Sequence, residues 1–281
     1  MSTRRKILLI LIVLIIMSSI YLVINNSRIG VSNFDYRNED IPEYFSDFKI
    51  VQISDLHNKK FGKGQEKLLN KIKEINPDII VITGDMIDRN KFNLVIAMEF
   101  IKGALDIAPV YYVSGNHEYL SNNYTSVKES LVEAGVVVLE NQNTSIKIEI
   151  GGILQEIHIL GLTDPSFNPY NFESIITNTL STWEDIDGFK ILLSHRPELF
   201  NLYKDYDIDL VFSGHAHGGQ IRMPFIGGLF APDQGFFPEY TNGSYQENDT
   251  TMFVSRGLGN SVFPLRVFNN PEIVVVTLKT K

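Results

Sequence analysis

The sequence predicts an α/β fold behind a single membrane-crossing helix. Three observations predict it. From Phe48 onward, short apolar runs alternate with amphipathic helical stretches. Several of those runs end in Asp, Asn or His, where ligands bind in open α/β sheets. An uncharged stretch from Ile7 to Ser27 opens the chain. The 281 residues suit one large domain or two small ones, and no repeat or low-complexity tract marks a second boundary. The chain therefore divides into an anchor over 1–27, a linker or first edge strand over 28–46, and one domain over 47–281.

Arg4, Arg5 and Lys6 stand before ILLILIVLIIMSSIYLVINNS. The apolar part of that stretch is about 18 residues, roughly 27 Å as a helix, close to the hydrocarbon thickness of a bilayer. A cleaved signal sequence would have a shorter apolar region closed by an A-x-A-like site, whereas this run ends in Asn25-Asn26. A retained single-pass anchor in the cell membrane is expected. The basic residues ahead of it predict a cytoplasmic N-terminus and an extracytoplasmic domain. A buried core helix is the alternative, and the terminal position and flanking charges oppose it.

FKIVQIS (48–54) reads as a strand and ends in Asp55-Leu56-His57. A helix over 64–76 follows, with Leu68, Leu69, Ile72 and Ile75 at helical spacing and Pro77 as its stop. DIIVIT (78–83) is a buried strand ending in Gly84-Asp85, then comes a helical stretch over 92–105. PVYYVS (109–114) is a third strand, ending in Gly115-Asn116-His117-Glu118. This order predicts a sheet with right-handed crossovers.

VVVLE (136–140), SIKIEI (145–150) and LQEIHILGL (154–162) predict consecutive, mostly antiparallel strands. KILLS (190–194) ends in His195, and DLVFS (209–213) ends in Gly214-His215-Ala216-His217. TMFVS (251–255) and EIVVVTL (272–278) complete the strands. The stretch over 223–240 is apolar and broken by Gly and Pro, so it reads as a loop wall rather than a helix. Its Phe225, Phe230, Phe236 and Phe237 either touch lipid beside an anchored site or pack as an ordinary loop.

Composition narrows the function. A net charge of −8 opposes a nucleic-acid backbone as main partner. The absence of cysteine excludes thiolate metal sites, cysteine nucleophiles and disulfides. No protein partner is inferred. Of six histidines, five stand at strand ends: His57, His117, His195, His215 and His217. His158 lies within a strand and reads as a polar residue on an outward face. Residues i and i+2 of extended chain project to one side, so His215 and His217 can act together. With Asp55, Asp85 and Asn116 they supply the imidazole, carboxylate and amide donors that hard and borderline divalent metals prefer. The donors outnumber what one ion needs, which points to two.

The ordered set Asp55-x-His57, Gly84-Asp85, Gly115-Asn116-His117-Glu118, the strand-end His195 and Gly214-His215-x-His217 resembles the calcineurin-like metallophosphoesterases. The likeness covers roughly 48–278, and GHAHGGQIRMPFIGGLFAP together with the anchor looks like the membrane-anchored bacterial branch. The resemblance implies a four-layer αββα sandwich of two mixed sheets flanked by helices, with a dinuclear metal site on strand-end loops. It implies that Asp55, His57 and His217 hold one divalent metal, that Asn116, His195 and His215 hold the other, and that Asp85 bridges them. Manganese, iron and zinc are the metals it implies.

The expected reaction is hydrolysis of a phosphoester or pyrophosphate by hydroxide generated between the ions. The expected substrate is a phospholipid or lipid-linked phosphate. Soluble nucleotides or cell-wall polymer as diester substrates, and a non-catalytic scaffold of the same fold, are the alternatives. The resemblance places His117 near the leaving group, as general acid or phosphate-stabilising donor. Glu118 either orients His117 or is a surface charge, and Asp88 either tunes the site or caps a loop. Arg196, Arg222, Arg256 and Arg266 lie in or near the later loops, each either a phosphate clamp or a surface ion-pair partner, and Arg222 and Arg256 lead as the expected substrate-binding residues.

Overall fold

A computed structural model of the chain describes residues 2–260 and 263–281. Helix α1 (Thr3–Ser27) has 25 residues, and its most apolar window reaches a mean hydropathy of 3.2 with none of that window buried. It is long and apolar enough to cross a membrane. The remaining helices are α2 (Glu66–Ile75), α3 (Leu94–Leu105), α4 (Asn116–Leu120), α5 (Tyr124–Ala134), α6 (Phe172–Ser181) and α7 (Phe200–Tyr203). The strands are β1 (Gly30–Asn38), β2 (Lys49–Ile53), β3 (Ile79–Thr83), β4 (Val110–Val113), β5 (Val137–Val138), β6 (Gln142–Ile150), β7 (Ile153–Gly161), β8 (Lys190–Leu193), β9 (Leu210–Ser213), β10 (Arg222–Met223), β11 (Gly227–Gly228), β12 (Phe230–Ala231), β13 (Gly235–Phe236), β14 (Gly243–Glu247), β15 (Thr250–Val254) and β16 (Glu272–Thr280).

Two six-stranded mixed sheets stack face to face, ordered β1-β16-β2-β3-β4-β5 and β14-β15-β9-β8-β7-β6. Period-two alternation explains the layering. In β3, Ile80 and Ile82 face α2, α3 and α5, while Ile79 and Val81 enter the core between the sheets. In β9, Val211 faces the α6–α7 layer, while Leu210 and Phe212 meet the other sheet. These strands are apolar on both faces because both faces are covered. The result is four layers, helix–sheet–sheet–helix.

One expected pairing is corrected. VVVLE does not join the antiparallel series. Its Val137 and Val138 form β5, parallel to β4 at the edge of the first sheet. Helix α5 lies between β4 and β5, and a helical crossover returns the chain parallel. Its Val127 and Leu131 are buried four residues apart and Gly135 ends it at φ 103; this helix is not among those expected from the sequence. Of the three runs expected to form that series, the second and third pair antiparallel as β6 and β7, and β7 is then parallel to β8. Residues 30–38 form the edge strand β1, parallel to β16. Residues 222–236 make two small hairpins, β10–β11 and β12–β13, with no helix.

Candidate metal centre

Strands β2, β3, β4, β8 and β9 all point their carboxyl ends to one edge of the sandwich. The turns that follow carry Asp55 and His57, Asp85, Asn116, His195, and His215 with His217. Five of these side chains sit on left-handed backbone: Asp55, His57, Asp85, His215 and His217 have φ between 45° and 64°. Each such residue costs of order 1–3 kcal/mol, and the strain is concentrated where the polar groups converge. Glycines make the turns tight enough. A Cβ on Gly115 would stand 2.3 Å from Asp85 Oδ1, and one on Gly214 would stand 1.9 Å from Ser54 Oγ. Beneath the cluster, buried Gln52 donates to Thr83 Oγ1 (3.0 Å) and to the Ser213 carbonyl (2.8 Å), joining the two sheets.

The seven expected ligand residues come together. Asp55, His57, Asp85 and His217 offer ligand atoms all within 4.8 Å of one another, and Asp85, His195 and His215 do likewise. Asp85 belongs to both groups. Its Oδ1 accepts the His117 backbone N–H at 2.8 Å, while Oδ2 lies 3.5 Å from His57 Nε2 and 3.3 Å from His195 Nε2. The Asn116 amide oxygen stands 3.2 Å from His195 Nε2, and His215 Nδ1 3.1 Å from that same nitrogen. On the other side, His57 Nε2 and His217 Nε2 face each other at 3.1 Å.

Donor chemistry shows that these residues fit metal ions. Asp55 Oδ2 is held by Ser54 Oγ (2.6 Å) and the His215 N–H (3.1 Å), but its buried Oδ1 has no hydrogen-bond partner. That orphaned oxygen lies 3.2 Å from His217 Nε2 and 3.7 Å from His57 Nε2. A bare carboxylate oxygen among converging imidazole nitrogens is the donor set a divalent cation satisfies. His195 Nδ1 donates to the Thr83 carbonyl at 2.6 Å, which turns Nε2 inward.

Electrostatics follow from this crowding. Burial alone would push the Asp85 carboxyl up, but His195, His57 and His117 reverse that and hold it well below the usual range. Asp55 is lowered in the same way, burial being overcome by His217 and His57. Burial opposes the charged form of His195, yet Asp85 and Asp55 raise it to about 10. Burial lowers His117 to about 4, against the pull of Asp85.

His117 lies beside the cluster, its ring centroid 4.3 Å from that of His57. Its Nδ1 accepts the Arg89 N–H at 3.2 Å, which leaves the proton of the neutral ring on Nε2. Two recesses meet at His117 and Arg89. One, of ≈ 270 Å³, runs over Asp85, Asn116, His215, His217, Arg196 and Asp233. The other, of ≈ 660 Å³, runs past His57, Asp88, Lys91 and Pro264. A recess of ≈ 680 Å³ at the opposite end, between 34–40 and 204–209, contains no histidine and none of these residues.

The remaining polar residues singled out in the sequence take the following places. Glu118 is buried and its carboxylate accepts the backbone N–H groups of Asp85, Met86, Ile87 and Gly115, at 2.9, 2.8, 3.3 and 2.8 Å. It is neither an orienter of His117 nor a surface charge; it clamps the Asp85 turn. Asp88 Oδ1 accepts from Asn90 N (2.7 Å) and Lys91 N (3.0 Å) as a loop cap, and it also falls into a group with His57 and His117. Arg222 and Arg256 do not line the recess over the cluster. Arg222 donates to the Gly218 carbonyl at 2.9 Å, and Arg256 pairs with Glu272 at 2.7 Å.

Arg266 is buried and donates from Nε to the Gly259 carbonyl at 2.9 Å, with its terminal nitrogen 3.3 Å from His217 Nδ1. Arg196 stands beside the cluster at His215. Asp164 holds its fork at 2.6 and 3.1 Å, and a terminal nitrogen stands 3.0 Å from His215 Nε2 and pairs with Asp233. Asp233 accepts from the same His215 nitrogen at 2.9 Å. Asp164, Asp233 and Arg89 are absent from the sequence reading. Asp164 follows the end of β7, where the strand-end rule applied to the other residues would have placed it. His158 is half-buried and stands 3.0 Å from the Asp187 carbonyl.

Comparison with known proteins identifies the family. The family model described as calcineurin-like phosphoesterase matches residues 48–219. The uncharacterized metallophosphoesterase YkuE of Bacillus subtilis is 34% identical over 247 residues, covering 85% of this chain and 82% of that protein. The UDP-2,3-diacylglucosamine pyrophosphatase LpxG of Chlamydia muridarum is 27% identical, covering 88% of each. A transmembrane protein with metallophosphoesterase domain from Danio rerio is 28% identical, covering 86% of this chain and 55% of that protein.

Proposed function

This chain belongs to the calcineurin-like phosphoesterase family, and from that premise we propose that it hydrolyses a phosphoester or pyrophosphate bond of a phospholipid or lipid-linked substrate at the outer membrane surface. The observation that carries the chemistry is Asp85, whose Oδ2 lies 3.5 Å from His57 Nε2 and 3.3 Å from His195 Nε2, so that one carboxylate stands in both groups of ligands. Asp55, His57 and His217 would hold one divalent ion, Asn116, His195 and His215 the other, and Asp85 both. Bound there, a pair of divalent cations lowers the pKa of water and neutralises charge on the phosphoryl oxygens.

The protein's own groups do the rest. Glu118 and the Asp85–His117 backbone bond fix the shared carboxylate against rotation. Asp233 fixes His215 through the nitrogen remote from the cluster, and Thr83 fixes His195 in the same manner. His117 presents its Nε2–H as a donor to a phosphoryl or leaving-group oxygen. Arg89, exposed where the two recesses meet, replaces Arg222 and Arg256 as the cation that greets the phosphate.

The lipid part of the reading is supported by α1 and by LpxG, whose name gives it an acylated substrate with a pyrophosphate. Manganese, iron and zinc all suit the donors. Arg4 to Lys6 ahead of the helix support a cytoplasmic N-terminus. The scaffold alternative predicts lost ligands, whereas all seven positions are filled and converge. The test compares full-length protein in proteoliposomes on a lipid pyrophosphate, a phospholipid, and soluble nucleotide or cell-wall diesters. A higher kcat/KM for a membrane-embedded substrate is expected. A soluble diester turned over best would overturn the lipid assignment and favour the nucleotide or cell-wall reading.

A further inference from the structure

The last turn of α1 is bonded directly to the edge of the sandwich that carries the metal-binding cluster. Asn25 and Asn26 side chains donate to the Arg266 carbonyl at 2.8 and 3.0 Å, and Arg266 N donates back to Asn26 Oδ1 at 2.9 Å. Phe268 N donates to the Tyr21 hydroxyl at 3.1 Å, and the two rings pack at 5.4 Å. Only Arg28 and Ile29 separate α1 from β1, so there is no slack for the domain to swing away. The apolar run of the helix ends at Ile24, which puts the 266–268 loop level with the headgroups if the helix spans.

That loop is stitched to the two hairpins. Ile221 and Val267 form a bridge, and Arg222 N donates to the Val267 carbonyl at 3.0 Å. Leu229 N is shared between the Gly219 and Ile221 carbonyls, which ties the hairpins to the turn bearing His217. Phe225, Ile226, Phe236, Phe237 and Phe268 stand on this surface, each more than half exposed. Three of them, Phe225, Phe237 and Phe268, hold left-handed backbone with φ of 69°, 55° and 50°. For bulky residues this is strained, and all three rings are exposed rather than packed in the core. Exposed aromatic rings in a contiguous apolar surface mark a contact face.

We propose that this face docks on the same bilayer that α1 crosses, with the β10–β11 and β12–β13 hairpins and the 263–268 loop seated among headgroups and outer acyl carbons. Aromatic side chains suit that layer, being apolar in body and tolerant of the wet boundary. Pro232 and Asp233 belong to both the β12–β13 hairpin and the wall of the recess over the cluster. The recess therefore opens against the membrane, and a headgroup phosphate reaches His215 and His217 while its acyl chains stay in the bilayer. This deepens the lipid reading given above and rests on it for its purpose, but docking is measured without turnover.

The chain has no cysteine, so single labels are clean. Nitroxides at Phe225→Cys, Phe237→Cys and Ile150→Cys are placed in full-length protein reconstituted in phosphatidylcholine–phosphatidylglycerol nanodiscs. Ile150 is exposed at the β6–β7 turn, at the far end of the sandwich. Collision with oxygen is compared with collision with chromium oxalate. The expected result is a several-fold higher oxygen-to-oxalate ratio at 225 and 237 than at 150. Equal, water-like ratios at all three sites overturn the docking face. Lipid-buried labels without lipid turnover keep the docking face and remove the substrate reading. Lipid turnover with water-exposed labels does the reverse.

Discussion

His117 and Asp209 show how local surroundings assign a titratable residue its task. His117 Nδ1 is occupied by a backbone N–H, so its remaining proton points from Nε2. His117→Ala should lower kcat by about 10²–10³-fold, the usual cost of removing one donor from a developing oxyanion, with bound metal unchanged. Steady-state turnover with elemental analysis checks this. Asp209, at the opposite end of β9, accepts from Lys190 N at 2.7 Å and from Asn38 at 3.2 Å. Burial, with Asp40 and Asp207 adding to it, raises the carboxyl from 3.8 to about 6. The fold thus prefers the protonated form. The stability this supplies is complete below about pH 4 and lost as pH rises through about 6. Asp209→Asn keeps the acceptor for Lys190 without the charge. It should be more stable than the parent at pH 7, by at most about 3 kcal/mol, and the gain should vanish below pH 4. Thermal unfolding across that range measures it.

Among the elements, the strand-to-turn junctions decide the site. Gly214→Ala would drive a Cβ to 1.9 Å from Ser54 Oγ and 2.7 Å from Asp55 Oδ2. The expected result is a loss of about 1–3 kcal/mol in thermal unfolding, with bound metal also reduced. These junctions were legible in the sequence because each is a short apolar run followed at once by a polar residue. Glu118 was not legible as a clamp, because its four backbone N–H partners come from two separate turns that meet only in the fold. Arg222 and Arg256 lie close in sequence to His217 and β15, yet nearby carbonyl and carboxylate groups take them up. The place of β5 was hidden for a different reason. A two-residue strand carries no period, and only the crossover helix before it sets its direction.

For the molecule as a whole, the metal-binding edge exists because two sheets present their strand ends together. Gln52 is the polar link between them, buried and bonded to Thr83 and to Ser213 across the layers. Gln52→Leu leaves the Thr83 hydroxyl short of a donor and should cost about 1–3 kcal/mol in denaturant unfolding. The same edge carries the exit of α1, so anchor, apolar hairpins and cluster share one side of the domain. The central claim is that Asp85 joins two groups of ligands into one dinuclear site. Elemental analysis of purified full-length protein and its Asp85→Asn variant, after saturation with manganese and removal of excess, tests it most directly. The account predicts two ions per chain in the parent and at most one in the variant. An Asp85→Asn protein that keeps two ions, or a parent that holds none, would contradict it.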